Sequence, residues 1–211
     1  VVLEKAAELG AHSLSGAVLK PHVLAELFPD YKADGCPIEC EVTHDEFHVL
    51  GDDWSFKVPI TPPPFANEGN ALISISKFNR WLGTKAEGLG TMVFPGFAAS
   101  EVIYDGDKVA GVITGDKGRD KEGKPKANFE PGMEIRAKIT IFAEGTRGSL
   151  FRKHAKKQNL RKDSNEEAFE EGVKELIQMP PGTVEPGQVI HTLGFPLKES
   201  IGGTFFYTLP G

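Results

Sequence analysis

Apolar and polar positions divide the chain into short strands, a few helices and several proline-broken stretches. The run Val1-Val2-Leu3 opens as a buried strand that ends in the acid Glu4. In "PHVLAELFPD", residues 21–30, apolar residues recur at helical spacing, with Pro21 at the start and Pro29 closing the run. That pattern predicts a short amphipathic helix. From Gly35 to Asn67 prolines interrupt every period; there "WSFKVPI" reads as a strand and "TPPPF" as a rigid extended connection. The clearest helix is "SKFNRWLGTKAEGLG", residues 76–90. Phe78, Trp81, Leu82 and Ala86 line one side, Ser76 stands where a cap belongs, and Gly88 or Gly90 ends it.

A β-rich region follows. "MVFPGFAASEVIYDGDKVAGVITGD" holds two strands joined by Asp105-Gly106-Asp107, a hairpin signal. "DKGRDKEGKPKANFEPG" reads as a charged, solvated loop, after which "MEIRAKITIFAEG" returns as a strand. "LFRKHAKKQNL" predicts a basic helical turn or two, and "EEAFEEGVKELIQM" fits strand or helix equally. "GQVIHTLGFPL" and "GGTFFYTL" read as an antiparallel pair joined through "KESIGG". The order is strand, helix, irregular stretch, helix, β-meander, strand, then a second β-rich section, an α/β class of mixed α+β character.

Composition narrows the function. With 211 residues, 39% hydrophobic and 26% charged, the chain suits one large domain or two modest ones. The net charge of −6 speaks against nucleic acid as a partner, since phosphate backbones call for a basic patch. No apolar run approaches the roughly 20 residues of a membrane-spanning helix. "VVLEK" carries no signal-peptide pattern and reads as the start of a piece cut from something longer. Cys36 and Cys40, in "CPIEC", have no second Cys/His pair at ligand spacing and read as structural thiols. His44 and His48 flank "DEF" in a stretch that reads as surface loop, and His12, His22, His154 and His191 are scattered.

Two acids at strand ends are the candidate chemistry. Glu4 ends an early apolar strand, where a dinucleotide fold places the carboxylate that accepts hydrogen bonds from a ribose. The G-x-G-x-x-G that would stand about 20 residues before it is not in the chain, and "GLGTMV" supplies only two glycines, after a helix. The second acid lies in "KITIFAEGTRGSL", where Ile139 to Phe142 run into Ala143-Glu144-Gly145. In flavin-binding doubly wound folds a late strand delivers such an acid-glycine tip to the flavin, and a plain strand-turn-helix explains it equally. Between the two acids, an insert of helix, strand and hairpin returns Ala98 and Ala99 toward a nucleotide and forms a small three-stranded meander. This order is more specific than any one piece.

Together "LEKAAELGAHSLSGAVL", "ELFPDYK", "VPI", "FPGFAASEVIYDGDKVAGVIT", "ITIFAEGTRGSL", "PGQVIHTLGFPL" and "GGTFFYTL" resemble the electron-transfer flavoprotein–ubiquinone oxidoreductase family, in register from first residue to last. The resemblance implies part of an FAD-binding doubly wound domain with an inserted β-meander and a β-rich quinone-binding section. FAD-binding parts would occupy residues 1–34 and 77–150, and quinone-domain parts residues 35–76 and 151–211. It implies that Glu4 holds the adenosine ribose, Ser15 and Gly16 lie along the flavin, and Ala99 offers backbone to the adenine. Glu144 and Gly145 would approach the pyrophosphate and ribityl chain. Gly202 and Gly203 match the family's glycine pair at the ubiquinone head group; read alone, "IGGT" is a hairpin turn. Ile201 stands before the pair where the resemblance leads to an aromatic.

The activity so implied is electron transfer from reduced electron-transfer flavoprotein to ubiquinone through FAD and a [4Fe–4S] cluster whose ligands lie outside this segment. No side chain is expected to act as a catalytic group. The setting would be the mitochondrial inner membrane on its matrix side, or the bacterial inner membrane on its cytoplasmic side. Residues 9–30 would dip into a membrane surface without spanning it, through Leu9, Leu14, Val18, Leu19, Val23, Leu24, Leu27 and Phe28. The alternatives are a flavin-dependent isoprenoid reductase or hydroxylase of the same superfamily, or a non-catalytic piece packed in a larger membrane assembly.

Overall fold

The computed structural model describes residues 1–197 and 199–210; Lys198, in the expected "KESIGG" connection, and the terminal Gly211 lie outside the described residues. In chain order, β1 (Val2–Glu4), β2 (Gly16–Leu19) and α1 (Pro21–Leu27) precede β3 (Ile38–Glu41), β4 (His44–Leu50) and β5 (Ser55–Lys57). A 3-10 turn, Pro63–Phe65, leads to β6 (Ala71–Ser74), α2 (Ile75–Gly88) and β7 (Val93–Pro95). Next come β8 (Ala99–Asp105), β9 (Lys108–Thr114), β10 (Lys117–Arg119), β11 (Pro125–Glu130) and β12 (Glu134–Arg136). Then follow α3 (Ser149–Lys157), β13 (Gln188–Gly194) and β14 (Phe205–Tyr207). The class is mixed α/β, as the alternation of periods predicts. Two compact units result: Val1–Leu9 with Ala86–Gly172, and Gly10–Lys85 with Val173–Gly211. The stretch 1–34, read above as one piece, thus divides between them.

In the first unit β1 pairs in parallel with β7, Glu4 opposite Pro95. The Gly106-Asp107 turn sets Asp105 opposite Lys108, so β8 and β9 form the expected hairpin, and β12 adds to β9 to complete a three-stranded antiparallel meander. The charged stretch after β9 is a second hairpin, β10 with β11, rather than a loop. Asp116 pairs with Arg119 at 2.5 Å, and the Arg119 guanidinium lies 4.8 Å over the Phe129 ring, contacts that hydropathy does not reveal. Leu150 and Ala155 of α3 are buried, and Tyr104 Oη of β8 lies 3.0 Å from His154 Nδ1. Two expectations fail here. Val1 and Val2 are exposed rather than buried. The predicted strand through "KITIFAEG" stops at Arg136; residues 138–143 join no ladder among the described residues, and Ile139 and Ile141 stand 80% and 83% exposed.

The second unit holds two sheets, β14-β13-β4-β5 and β2-β6-β3. β13 lies parallel to β4 from Gln188 opposite His44 to Gly194 opposite Leu50, and antiparallel to β14. Val42, Leu72 and Val189 are fully buried, with Val18, Cys40, Tyr207 and Leu209 packed around them. Each such burial contributes about 1.5–3 kcal/mol, so this small cluster is the unit's anchor. α2 takes its cap from Ser74, whose Oγ accepts from Lys77 N at 3.5 Å, rather than from Ser76. Its apolar side seats Trp81, which meets the Phe28 ring edge at 5.2 Å and donates Nε1–H to the Asp34 carbonyl at 3.0 Å. "TPPPF" is a 3-10 turn rather than an extended rod, and "EEAFEEGVKELIQM" is neither strand nor helix.

Candidate functional site

The acid-glycine tip of the first unit has a local reason. α3 begins at Gly148, which has no side chain with which to cap it. Glu144 supplies the missing acceptors: Oε2 accepts from Phe151 N at 2.6 Å, while Oε1 accepts from Leu150 N at 3.0 Å and Ser149 Oγ at 3.2 Å. Burial alone would push this carboxyl up, but the Phe151 and Leu150 N–H groups and the Ser149 hydroxyl outweigh it and hold it below the ordinary carboxylate value. Gly145 turns the chain at φ 74°, where a side chain is strained, and nothing lies within 4 Å of the place a Cβ would occupy. The tip therefore offers backbone and open space, its acid already committed to the helix.

Glu4 lies in the same unit. Its Oε1 accepts from Ala6 N at 2.6 Å, and its carbonyl accepts from Phe97 N at 3.0 Å, tying the end of β1 to the turn after β7. Ala99 opens β8 opposite Thr114, two residues beyond that turn, so Glu4 and Ala99 share one strand-end cluster.

The second unit holds the other four candidates. Ser15 is exposed and Gly16 buried, with Gly16 N donating to the Tyr207 hydroxyl at 3.2 Å. Gly202 and Gly203 continue the β13–β14 ladder: Gly194 N donates to Gly202 O at 3.1 Å, and Thr192 N to Thr204 O at 2.9 Å. A Cβ on Gly203 would overlap the Thr192 carbonyl oxygen, so the strands close only around glycine there. Among the described residues the N–H groups of Gly202 and Gly203 have no acceptor. Gly202 is half-buried and Gly203 exposed, so these two donors are open to solvent or to an oxygen ligand.

Two clusters escaped the sequence reading, both on β4. "HDEFH" is strand rather than loop, and alternation puts His44, Glu46 and His48 on one face. Lys57 Nζ, His48 Nε2 and His44 Nε2 approach the Glu46 carboxylate at 2.5, 2.6 and 2.5 Å. The Lys57 hydrogen bond, then those of His48 and His44, pull its pKa down to about 2. On the opposite face the Asp45 carboxylate is buried beside His191 of β13. Asn67 donates to Asp45 Oδ2 through its backbone N at 3.0 Å and Nδ2 at 2.7 Å. His191 Nε2 lies 3.2 Å from Asp45 Oδ1 and 3.5 Å from Asn67 Nδ2, and Oδ1 has no hydrogen-bond partner among the described residues. The one available sequence signal was a histidine in the apolar alternation of "QVIHTLG", whose partner lies far back in the chain.

Cys36 and Cys40 are free thiols, both pushed up by burial, Cys40 further by the Glu39 charge. Among the described residues no group of three or more His, Cys, Asp or Glu is arranged to hold a metal, and no helix is long and apolar enough to cross a membrane.

Residues 169–211 match the family described as "ETF-QO, ubiquinone-binding". The chain is 46% identical over 98% of its length to the mitochondrial electron transfer flavoprotein-ubiquinone oxidoreductase of Arabidopsis thaliana, covering 33% of that protein. It is likewise 46% identical over 99% of its length to the enzyme of that name from Pseudomonas aeruginosa, covering 39% of it. Among solved structures, a geranylgeranyl bacteriochlorophyll reductase-like protein from Thermoplasma acidophilum shares the fold, with TM-score 0.50 and 19% identity over 92% of this chain and 43% of that one. From its first strand to its last the chain thus has counterparts in the electron transfer flavoprotein-ubiquinone oxidoreductases, the family its sequence resembles, and it spans about a third of their length.

Proposed function

We propose that this chain is the part of an electron-transfer flavoprotein–ubiquinone oxidoreductase that holds the flavin's adenosine and ribityl side and the quinone's head group. The observation that carries the reading is the Gly202-Gly203 hairpin. It lies inside the stretch that matches the ubiquinone-binding family, and both N–H groups lack acceptors among the described residues. A quinone carbonyl oxygen is an acceptor that fits this pair, because no Cβ keeps it from the backbone.

FAD fits the first unit on the chain's own geometry. Gly145 faces open space at the acid-glycine tip, and Glu4 keeps Oε2 without a partner among the described residues. When bound, FAD supplies an acceptor for one or two electrons at a time. The residues' work is to bind and orient it: Glu4 takes the adenosine ribose, Ala99 borders the adenine, and the Glu144-Gly145 backbone borders the pyrophosphate. In the second unit the Tyr207 hydroxyl accepts from Gly16 N and fixes the start of β2. Cys36 and Cys40 are the chain's two cysteines, too few for the four thiolates of a [4Fe–4S] cluster.

The donor in this reading is reduced electron-transfer flavoprotein, and the setting is the surface of a mitochondrial inner or bacterial membrane. Leu14, Val23 and Leu27 of residues 9–30 are exposed, as are Leu193, Phe195, Leu197 and Ile201 at the quinone hairpin, apolar surface suited to a lipid headgroup boundary. Leu24 is buried and Phe28 packs on Trp81, so only part of residues 9–30 is free to enter lipid.

The test is to purify the full-length protein, record its visible spectrum, and supply reduced electron-transfer flavoprotein with a short-tailed ubiquinone analogue. Flavin bands and quinone reduction are the expected result. A flavin-bearing protein that saturates isoprenoid double bonds and leaves quinone untouched would overturn the reading.

A further inference from the structure

Quinone reduction consumes protons as well as electrons, and the second unit contains one buried acid–imidazole pair beside the proposed quinone hairpin. Asp45 is 8% exposed, in a setting where a charge survives only if partnered. Asn67 satisfies Oδ2 from two sides, which fixes the carboxylate; Oδ1 is left facing the His191 ring at 3.2 Å. Around that ring stand the Asn67 amide, 3.5 Å from Nε2, and two aromatic walls, with the Phe65 centroid at 4.8 Å and the Phe205 centroid at 5.2 Å. A structural salt bridge would align its hydrogen bond; this one leaves Oδ1 without a bond among the described residues.

The register connects the pair to the glycines. His191 lies directly opposite Phe205, and the ladder continues past it through Thr192–Thr204 to Gly194–Gly202. By alternation Gly203 occupies the next same-face position after Phe205, a diagonal neighbour of His191 at about 7–8 Å. An imidazole spans much of that distance. On the other side, Asp45 borders a cleft of about 230 Å³ lined also by Thr61, Ala66 and Glu68, a route by which solvent protons reach the pair.

We propose that His191, held by Asp45, is the proton donor to ubiquinone at this hairpin, a role that rests on the function proposed above. Two electrons come from the reduced flavoprotein donor. As they enter the quinone ring, its two C=O groups become C–O–H. One of these O–H bonds forms as the His191 N–H bond breaks. Asp45 stabilises the imidazolium before transfer, and the neutral ring is reprotonated from the cleft. The second proton reaches the other ring oxygen from solvent or from the reloaded histidine. The charged group facing the ring is Asp45 on β4; Glu68 lines the cleft beyond it, with His44 of the other face 3.8 Å from Glu68. The Asn67 amide, with Nδ2 3.5 Å from His191 Nε2, and the aromatic Phe47, Phe65 and Phe205 also border the ring, so the nitrogen left for the quinone side is Nδ1.

The test uses the full-length, flavin-loaded protein with His191→Asn, His191→Ala and Asp45→Asn substitutions, and follows two half-reactions by stopped flow. Flavin reduction by the donor should be unchanged. Flavin reoxidation by a ubiquinone analogue should slow about 100-fold in both His191 variants. The wild type should show a solvent deuterium isotope effect on reoxidation that the His191 variants lose. Added imidazole should restore part of the rate in the His191→Ala variant, which a merely structural role would not permit. Asp45→Asn should shift the pH profile of reoxidation while leaving quinone-analogue binding within about twofold. Variants that reoxidise at the wild-type rate with the wild-type isotope effect overturn the proposal and leave the function standing. If the variants fail to fold, the wild type decides alone, and absence of an isotope effect on its reoxidation overturns the proposal. A wild type that reduces no quinone at all overturns both.

Discussion

Two stretches of similar apolar character meet opposite fates. Residues 188–194, "QVIHTLG", become β13, paired on both edges, with Val189 fully buried. Residues 138–143, "KITIFA", are as rich in β-branched and aromatic residues, yet join no ladder among the described residues and leave Ile139 and Ile141 exposed. The difference is in what lies alongside. A strand is stabilised by cross-strand pairs and by a covered face, not by its own composition. β13 finds β4 on one side and β14 on the other, while the run at 138–143 has intrinsic propensity and no neighbour. The glycines at the two tips repeat the lesson: Gly203 is fixed by a strand pressed against it, Gly145 by a turn into open space.

The comparison breaks hardest at Val189. Val189→Asp buries a lone charge in the Val42–Leu72 cluster and should cost on the order of 4 kcal/mol or more, a large part of a domain's stability. Ile141→Asp in the same chain should stay within about 0.5 kcal/mol. Urea denaturation of the two variants separates them, and equal losses would mean that the run at 138–143 is packed in solution. Next in size is Gly203→Ala, whose methyl group would meet the Thr192 carbonyl, a backbone atom that moves only with its strand. A loss of about 2 kcal/mol is expected. Gly202→Ala meets only the tip of the Leu197 side chain, which can rotate away, and should cost about 0.5 kcal/mol. Reversal of that order would show that the hairpin does not close as described.

The helix cap should lose less than Val189 or Gly203. Glu144→Ala should cost about 1 kcal/mol near neutral pH, read as a lower thermal midpoint. Because the folded-state pKa of Glu144 lies below its unfolded value, its contribution is complete above the ordinary carboxylate range and is lost as pH falls through the lower folded value. The gap between wild type and variant should therefore narrow on acidification. A gap independent of pH would assign the loss to packing rather than to charge.

Much of the local structure was legible in the sequence. Pro21 and Pro29 bracket α1, Gly106-Asp107 makes the β8–β9 turn, and the spacing of Phe78, Trp81 and Leu82 marks α2. These signals act over a few residues, where sequence and structure are almost the same information. What escaped depends on distant partners. Nothing near Asp45 announces His191, and nothing in "DKGRDKEGKPKANF" announces that Arg119 will lie over Phe129 and order a hairpin. The glycine pair was legible as a turn, whereas the exposure of its N–H groups depends on how the β13–β14 ladder ends. Glu144 shows a third case: the acid was visible, but its partners are amides of the next helix, which no side-chain pattern encodes.

The parallel pairing of β4 with β13 also sets an order of events during synthesis. His44 meets Gln188, and most of the first unit, Ala86–Gly172, lies between them in the chain. That stretch can form its hairpins and α3 from near neighbours as it leaves the ribosome, while β4 waits with one edge unpaired. Closing so long a loop is slow, and an open edge beside an apolar face invites pairing with other chains. The second unit is therefore open to mispairing until its last strands emerge, and substitutions that weaken β13 should reduce the yield of soluble protein.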